Sequence, residues 1–147
     1  MVTRIDFYVV DFDVPHARFR MACRLCDKAY QHQQEVYVHT ETPAHAEIIN
    51  DLLWTENEEN FLPHGLISEE TEAPIVIGYQ QEVDSEAPIL INLDLQVPLF
   101  FSQFHRVIEI VPRDDEQRRL VREHYRFYKE RGYPVNTHEI KQNPFRK

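Results

Sequence analysis

Between residues 118 and 133 the chain reads RRLVREHYRFYKERGY, which holds six of the sixteen Lys and Arg in a protein of formal net charge −9. Guanidinium groups grip carboxylates and phosphates through paired N–H donors, so the chemistry on offer is anion recognition. At about 100° per residue, Arg118, Arg119, Arg122, Arg126 and Lys129 would share an arc of roughly 100° on a helix. Val121, Tyr125 and Tyr128 flank that arc, with Tyr125 nearest the bases, and Leu120, His124 and Phe127 continue the apolar side. Only one acid, Glu123, lies between 118 and 129. Like charges at i,i+4 therefore repel, at about 0.2–0.5 kcal/mol per pair. A solvated face is the ordinary reading of a charge cluster. The shortage of acids, and the choice of Arg at four of five basic positions, favour a face built for an anion.

The rest of the chain narrows which anion. Residues 1–112 contain 6 basic and 19 acidic residues, a net −13, whereas residues 113–147 contain 10 and 6, a net +4. Nucleic acid calls for a broad basic surface that releases counterions, and a small patch on an acidic body is not one. A short acidic peptide ending in an apolar residue fits better. Its carboxylates would pair with the arginines and its side chain would enter the edge beside Val121 and Tyr125. Charge-assisted bonds of about 1.5–3 kcal/mol each, less ordering costs, point to a micromolar, salt-sensitive contact.

Other chemistry finds little support. Cys23 and Cys26 form a C-x-x-C, but they share helical spacing with Phe19, Ala22, Ala29 and Tyr30, and no second ligand pair accompanies them. Core packing is the expectation. Asp11 and Asp13 follow the first strand, where an α/β enzyme or nucleotide-binding protein could hold Mg²⁺ or catalytic carboxylates. That turn reads DFDVPH, without the glycines that let a backbone approach a pyrophosphate, so a solvated turn is the preferred reading and the nucleotide-binding protein or enzyme the alternative. His39 is the best-placed histidine for catalysis, yet no nucleophile or acid motif joins it. No cofactor and no metal are expected.

The elements that must position these residues follow from pattern. RIDFYVV (4–10), EVYVH (35–39), PIVIGY (74–79), PILINLD (88–94) and RVIEIV (106–111) read as strands, the later ones as apolar runs suited to burial on both faces. Helices are expected from Pro15 to about Gln31, from Thr42-Pro43 onward, briefly over Val97–Phe104, and from Asp114 to Arg131-Gly132. The stretch Thr55–Ala73 reads as irregular. Strands alternating with helices predict an α/β, Rossmann-like three-layer sandwich, with a mostly parallel sheet of about five strands and helices on both faces. At 147 residues a single domain is expected. The opening residues carry no secretory pattern and the apolar runs fall short of a membrane span, so a cytoplasmic protein is the expectation.

FYVVDFD, DLLWTENEENFLPHGL and RVIEIVP…RRLVREHYRFYKERGYPVNTH, in that order, resemble the chi subunit of bacterial DNA polymerase III over about residues 4–138. The resemblance implies a chi-like domain over 1–138, with 139–147 a C-terminal tail open to being flexible. It implies a non-catalytic accessory subunit of the replicative polymerase. Chi proteins bind the psi subunit of the clamp loader and the acidic, Phe-ended C-terminal tail of single-stranded DNA-binding protein, so DNA is reached only indirectly. By the same resemblance the tail-binding positions fall on Arg118, Arg122, Tyr125 and Arg126, with Lys129 nearby and Val111 lining the Phe pocket. The psi-binding positions fall on Trp54 and Phe61. Read by itself, Trp54 is either core or an exposed anchor beside the polar TENEEN loop; the resemblance favours the interface.

Overall fold

A computed structural model describes residues 2–56, 62–69, 71–80, 83 and 85–145. Among these residues seven strands and three α-helices follow one another: β1 (Arg4–Val10), α1 (Ala17–Gln31), β2 (Val36–His39), α2 (Pro43–Glu56), β3 (His64–Leu66), β4 (Ile75–Gly78), β5 (Ile89–Asn92), β6 (Arg106–Val111), α3 (Asp115–Glu130) and β7 (Val135–Ile140). The strands form one sheet in the order β3-β4-β2-β5-β6-β1-β7. Every pairing is parallel.

The predicted α/β architecture stands, with two strands more than expected. β3 is three residues long, too short for an alternation to register, and pairs with β4 through His64↔Ile75. β7 reads VNTHEI, almost wholly polar, because it is an edge strand with its middle residues exposed. It crosses the expected domain boundary at 138 and ends at Ile140, whose carbonyl accepts from the Asp11 amide. Beyond it, Phe145 packs edge-on against Phe12 and under the Arg20 guanidinium. The helix expected over Val97–Phe104 is instead a single 3-10 turn at Phe101–Gln103. Pro98 supplies no N–H, and Phe100, Phe101 and Phe104 are consumed as core.

Alternation sorts the strands into two cores. Val10, Val36, Val38, Ile75, Ile77, Ile89, Ile91, Ile108 and Ile110 face α1 and α2. Ile5, Phe7, Tyr37, Leu90, Val107 and Val111 face α3 and the Phe100–Phe104 segment. Gly78 is required by close approach, since a Cβ there would collide with the Tyr37 hydroxyl. The helix starts follow the predicted chemistry: Thr42 Oγ1 accepts from the His45 amide, and the Asp114 carboxylate from the Gln117 amide. Cys23 and Cys26 are buried in α1, and burial pushes the Cys23 thiol up to about 12.

Candidate functional site

Three inward residues seat α3. Val121, His124 and Tyr128 are buried, and the last two converge on Glu109 of β6. Glu109 is wholly buried. Its Oε1 lies 3.1 Å from His124 Nδ1, and its Oε2 accepts from the Tyr128 hydroxyl at 2.7 Å and from Asn92 Nδ2 at 3.0 Å. His124 Nε2 faces the Leu95 carbonyl at 3.0 Å. Both ring nitrogens thus meet acceptors, which only a doubly protonated imidazolium can satisfy as donor on each side. Burial alone would lower the His124 pKa. The Glu109 charge, the bond to it and the Leu95 carbonyl outweigh that and hold it above the ordinary value.

The sign of the resulting pH dependence is fixed. A pKa raised in the folded state adds stability that is complete below the unfolded value of about 6.5 and fades as pH rises through the folded value. Urea unfolding should therefore show wild type losing its advantage over His124→Gln as pH rises through the range above about 6.5. A constant difference between the two proteins across that range would refute the charged pair.

The outward face of α3 carries the basic stripe, and its members are not equivalent. Arg118 is pinned to the ends of β1 and β6, with Nε donating to the Pro112 carbonyl at 2.8 Å and a terminal nitrogen to the Val10 carbonyl at 3.3 Å. Arg119 turns to the helix's own acids, bridging Glu116 and Glu123 at 3.3 Å each. Arg122 and Arg126 have no hydrogen-bond or ion-pair partner among the described residues. Arg118, Arg119, Arg122 and Arg126, with the carboxylates of Asp115 and Glu123, border a hollow of about 340 Å³. Tyr125 is 39% exposed and meets Phe7 edge-on at 5.5 Å, and the Lys129 ammonium stands 5.8 Å over its ring.

Val111 is not part of that hollow. It is 4% exposed, in the core beneath α3. Three further features of the site are not evident from the sequence. Asp115 adds a carboxylate to the rim of the hollow. Val9, half-buried, shares the α3 face of the sheet with Val111, its partner in register. Glu109 looked like an ordinary polar position in a strand, although a carboxylate amid RVIEIV is the one signal that could have revealed the network.

Trp54 stands at the surface near the end of α2, 53% exposed, with its ring 4.7 Å from His64. This excludes the core alternative. Phe61 lies outside the described residues. Trp54 and the α3 stripe belong to elements on opposite faces of the sheet.

The enzyme-like candidates are not assembled into a centre. Asp13 is almost fully exposed, and its one ion-pair partner among the described residues is Arg113 at 3.9 Å. His39 is wholly buried, bonded to Asp94 at 3.1 Å and capped by the Phe100 ring at 5.2 Å. Among the described residues no three His, Cys, Asp or Glu are placed to hold a metal ion, and no helix is long and apolar enough to cross a membrane.

Comparison with known proteins gives the architecture a family. A solved structure of T4 UvsW superposes with a TM-score of 0.64 at 9% identity, covering 94% of this chain and 41% of that one, a likeness of fold alone. The chain is 38% identical over 139 residues to DNA polymerase III subunit chi of Pseudomonas aeruginosa, covering 95% of this chain and 98% of the relative. To the subunit of the same name from Escherichia coli K12 it is 29% identical, covering 89% and 94%. The family model for the DNA polymerase III chi subunit, HolC, matches residues 2–136, which takes in β1, the Trp54 helix and the whole of α3. The chain belongs to the DNA polymerase III chi subunit family.

Proposed function

We propose that this protein is a non-catalytic accessory subunit of the bacterial replicative polymerase, joining the clamp-loader complex, through psi, to the acidic C-terminal tail of single-stranded DNA-binding protein. The observation that carries the reading is a pair of neighbouring guanidiniums, Arg122 and Arg126, without acceptors among the described residues beside a hollow of about 340 Å³. A cation at a surface costs little to leave in water. Two at i,i+4 repel, and their attraction for a doubly anionic ligand is correspondingly larger.

In this reading Arg122 and Arg126 take the tail's carboxylates, including the terminal one. Arg118, already held by two carbonyls, offers a fixed third charge. The terminal Phe rests on Tyr125, with Val9 and Val111 beneath the same face, and Lys129 closes the far side. Trp54, with Phe61, anchors psi. The protein works in the cytoplasm, needs no cofactor, and reaches DNA only through the coating protein.

One experiment tests the linkage. An immobilised acidic peptide ending in Phe should retain the wild-type protein and, through it, psi. Trp54→Ala should still be retained while psi is lost, and amidating the peptide's C-terminus should release both. Equal capture on the amidated peptide, or loss of Trp54→Ala together with psi, would sink the arrangement.

A further inference from the structure

The acidic portion of the chain holds a second basic site on the face away from α3. Residues 1–112 contain six Lys and Arg. Arg4 and Arg106 are bound to Asp6, Arg20 to Glu56, and Arg18 is buried against the carbonyls of Leu93, Asp94 and Ile110. Arg24 and Lys28 remain, at i,i+4 on α1, exposed and without an ion-pair partner among the described residues. They border a groove of about 500 Å³ whose walls include Tyr8, Met21, Leu25, Ile140 and Pro144. A second hollow of about 160 Å³ shares Tyr8, Leu25, Lys28 and His32 with it and runs beneath the C-terminal half of α1 to the starts of β2, β5 and β6. One acid, Asp27, sits on the rim, and it accepts a bond from Gln31 at 3.0 Å.

We infer that this groove is a second docking site, which takes an extended segment of a partner chain that alternates acidic and apolar side chains. Charge complementarity selects the occupant. On a body of net −13 an acidic segment is repelled everywhere except where unpaired cations stand, and here two of them flank an apolar floor. The groove sets two cations beside apolar walls, so acidic and apolar side chains within a run of chain can meet both without a terminal carboxylate. Its volume matches the side chains of two or three residues, within the usual range of about 300–1,000 Å³ for ligand sites. Residues Tyr8 and Ile140 on one side and Leu25 on the other lie on strands and helix that pack as one core, so the site is preformed.

The probe is a synthetic peptide alternating Asp with Leu, amidated at its C-terminus so that it lacks the group on which the α3 reading depends. Titrated into ¹⁵N-labelled protein, it should shift the amides of Arg24, Lys28, Tyr8 and Ile140. Arg24→Gln with Lys28→Gln, both at exposed helix positions, should weaken it at least about tenfold and leave binding of a Phe-ended, free-acid peptide unchanged. Shifts confined to α3, no shifts at millimolar peptide, or equal affinity for the double variant would each overturn the site. Sedimentation of the free protein supplies the remaining outcome. A dimer that the double variant dissociates would make a second copy the occupant and reject a partner segment. Failure of the α3 contact alone would not touch this result, since the two sites lie on opposite faces.

Discussion

Glu109→Ala should destabilise the fold by about 3–5 kcal/mol, the cost of removing one member of a buried ion pair. The loss leaves three donors without their acceptor inside the protein: the Tyr128 hydroxyl, Asn92 Nδ2 and His124 Nδ1. It also strands a protonated imidazole, which must either discharge or remain unpaired. Glu109→Gln keeps the shape and one acceptor oxygen but presents an amide N–H₂ to a donor, and should cost less, about 1–3 kcal/mol. Urea unfolding near pH 6.5 measures both, and a loss under about 1 kcal/mol for Glu109→Ala would mean that water or a shifted side chain satisfies the group. The result bears on function because His124 and Tyr128, with Arg118, are the polar ties between α3 and the sheet. Loosening them frees the helix that carries the basic stripe.

Much of this fold was readable from local chemistry, and the exceptions share a cause. β1, β6 and the caps at Thr42 and Asp114 are visible because apolar runs and capping side chains act within a few residues. The stripe on α3 is visible because helical periodicity alone decides which side chains share a face. What escaped depends on partners distant in sequence. β7 is polar because it is an edge, and only its pairing with β1 makes it a strand. Glu109 lies 15 and 19 residues from His124 and Tyr128, and nothing in RVIEIV announces them. Within the stripe, periodicity could not separate Arg119, which is occupied by Glu116 and Glu123, or Arg118, which is fixed to carbonyls, from Arg122 and Arg126, which are not.

That separation makes charge reversal at two positions the most discriminating test of the α3 face. Arg122→Glu with Arg126→Glu should reduce affinity for an acidic, Phe-ended peptide at least about a hundredfold, a change of about 2.7 kcal/mol. Each lost charge-assisted bond accounts for about 1.5–3 kcal/mol before the new repulsion is added. Stability should stay within about 0.5 kcal/mol of wild type, because neither side chain holds any part of the fold and the new carboxylate at position 122 would face Arg118 and Arg119. Arg119→Ala offers the contrast. It removes one formal positive charge from a side chain already paired with two carboxylates, and should weaken binding no more than about threefold, since screened surface pairs contribute little. Calorimetry at low and moderate salt reads all three proteins, with the strong salt dependence of wild type kept by Arg119→Ala and lost in the double reversal. If Arg119→Ala proved as damaging as the double reversal, affinity would follow net charge alone, and the two unpaired guanidiniums would have no special place in recognition.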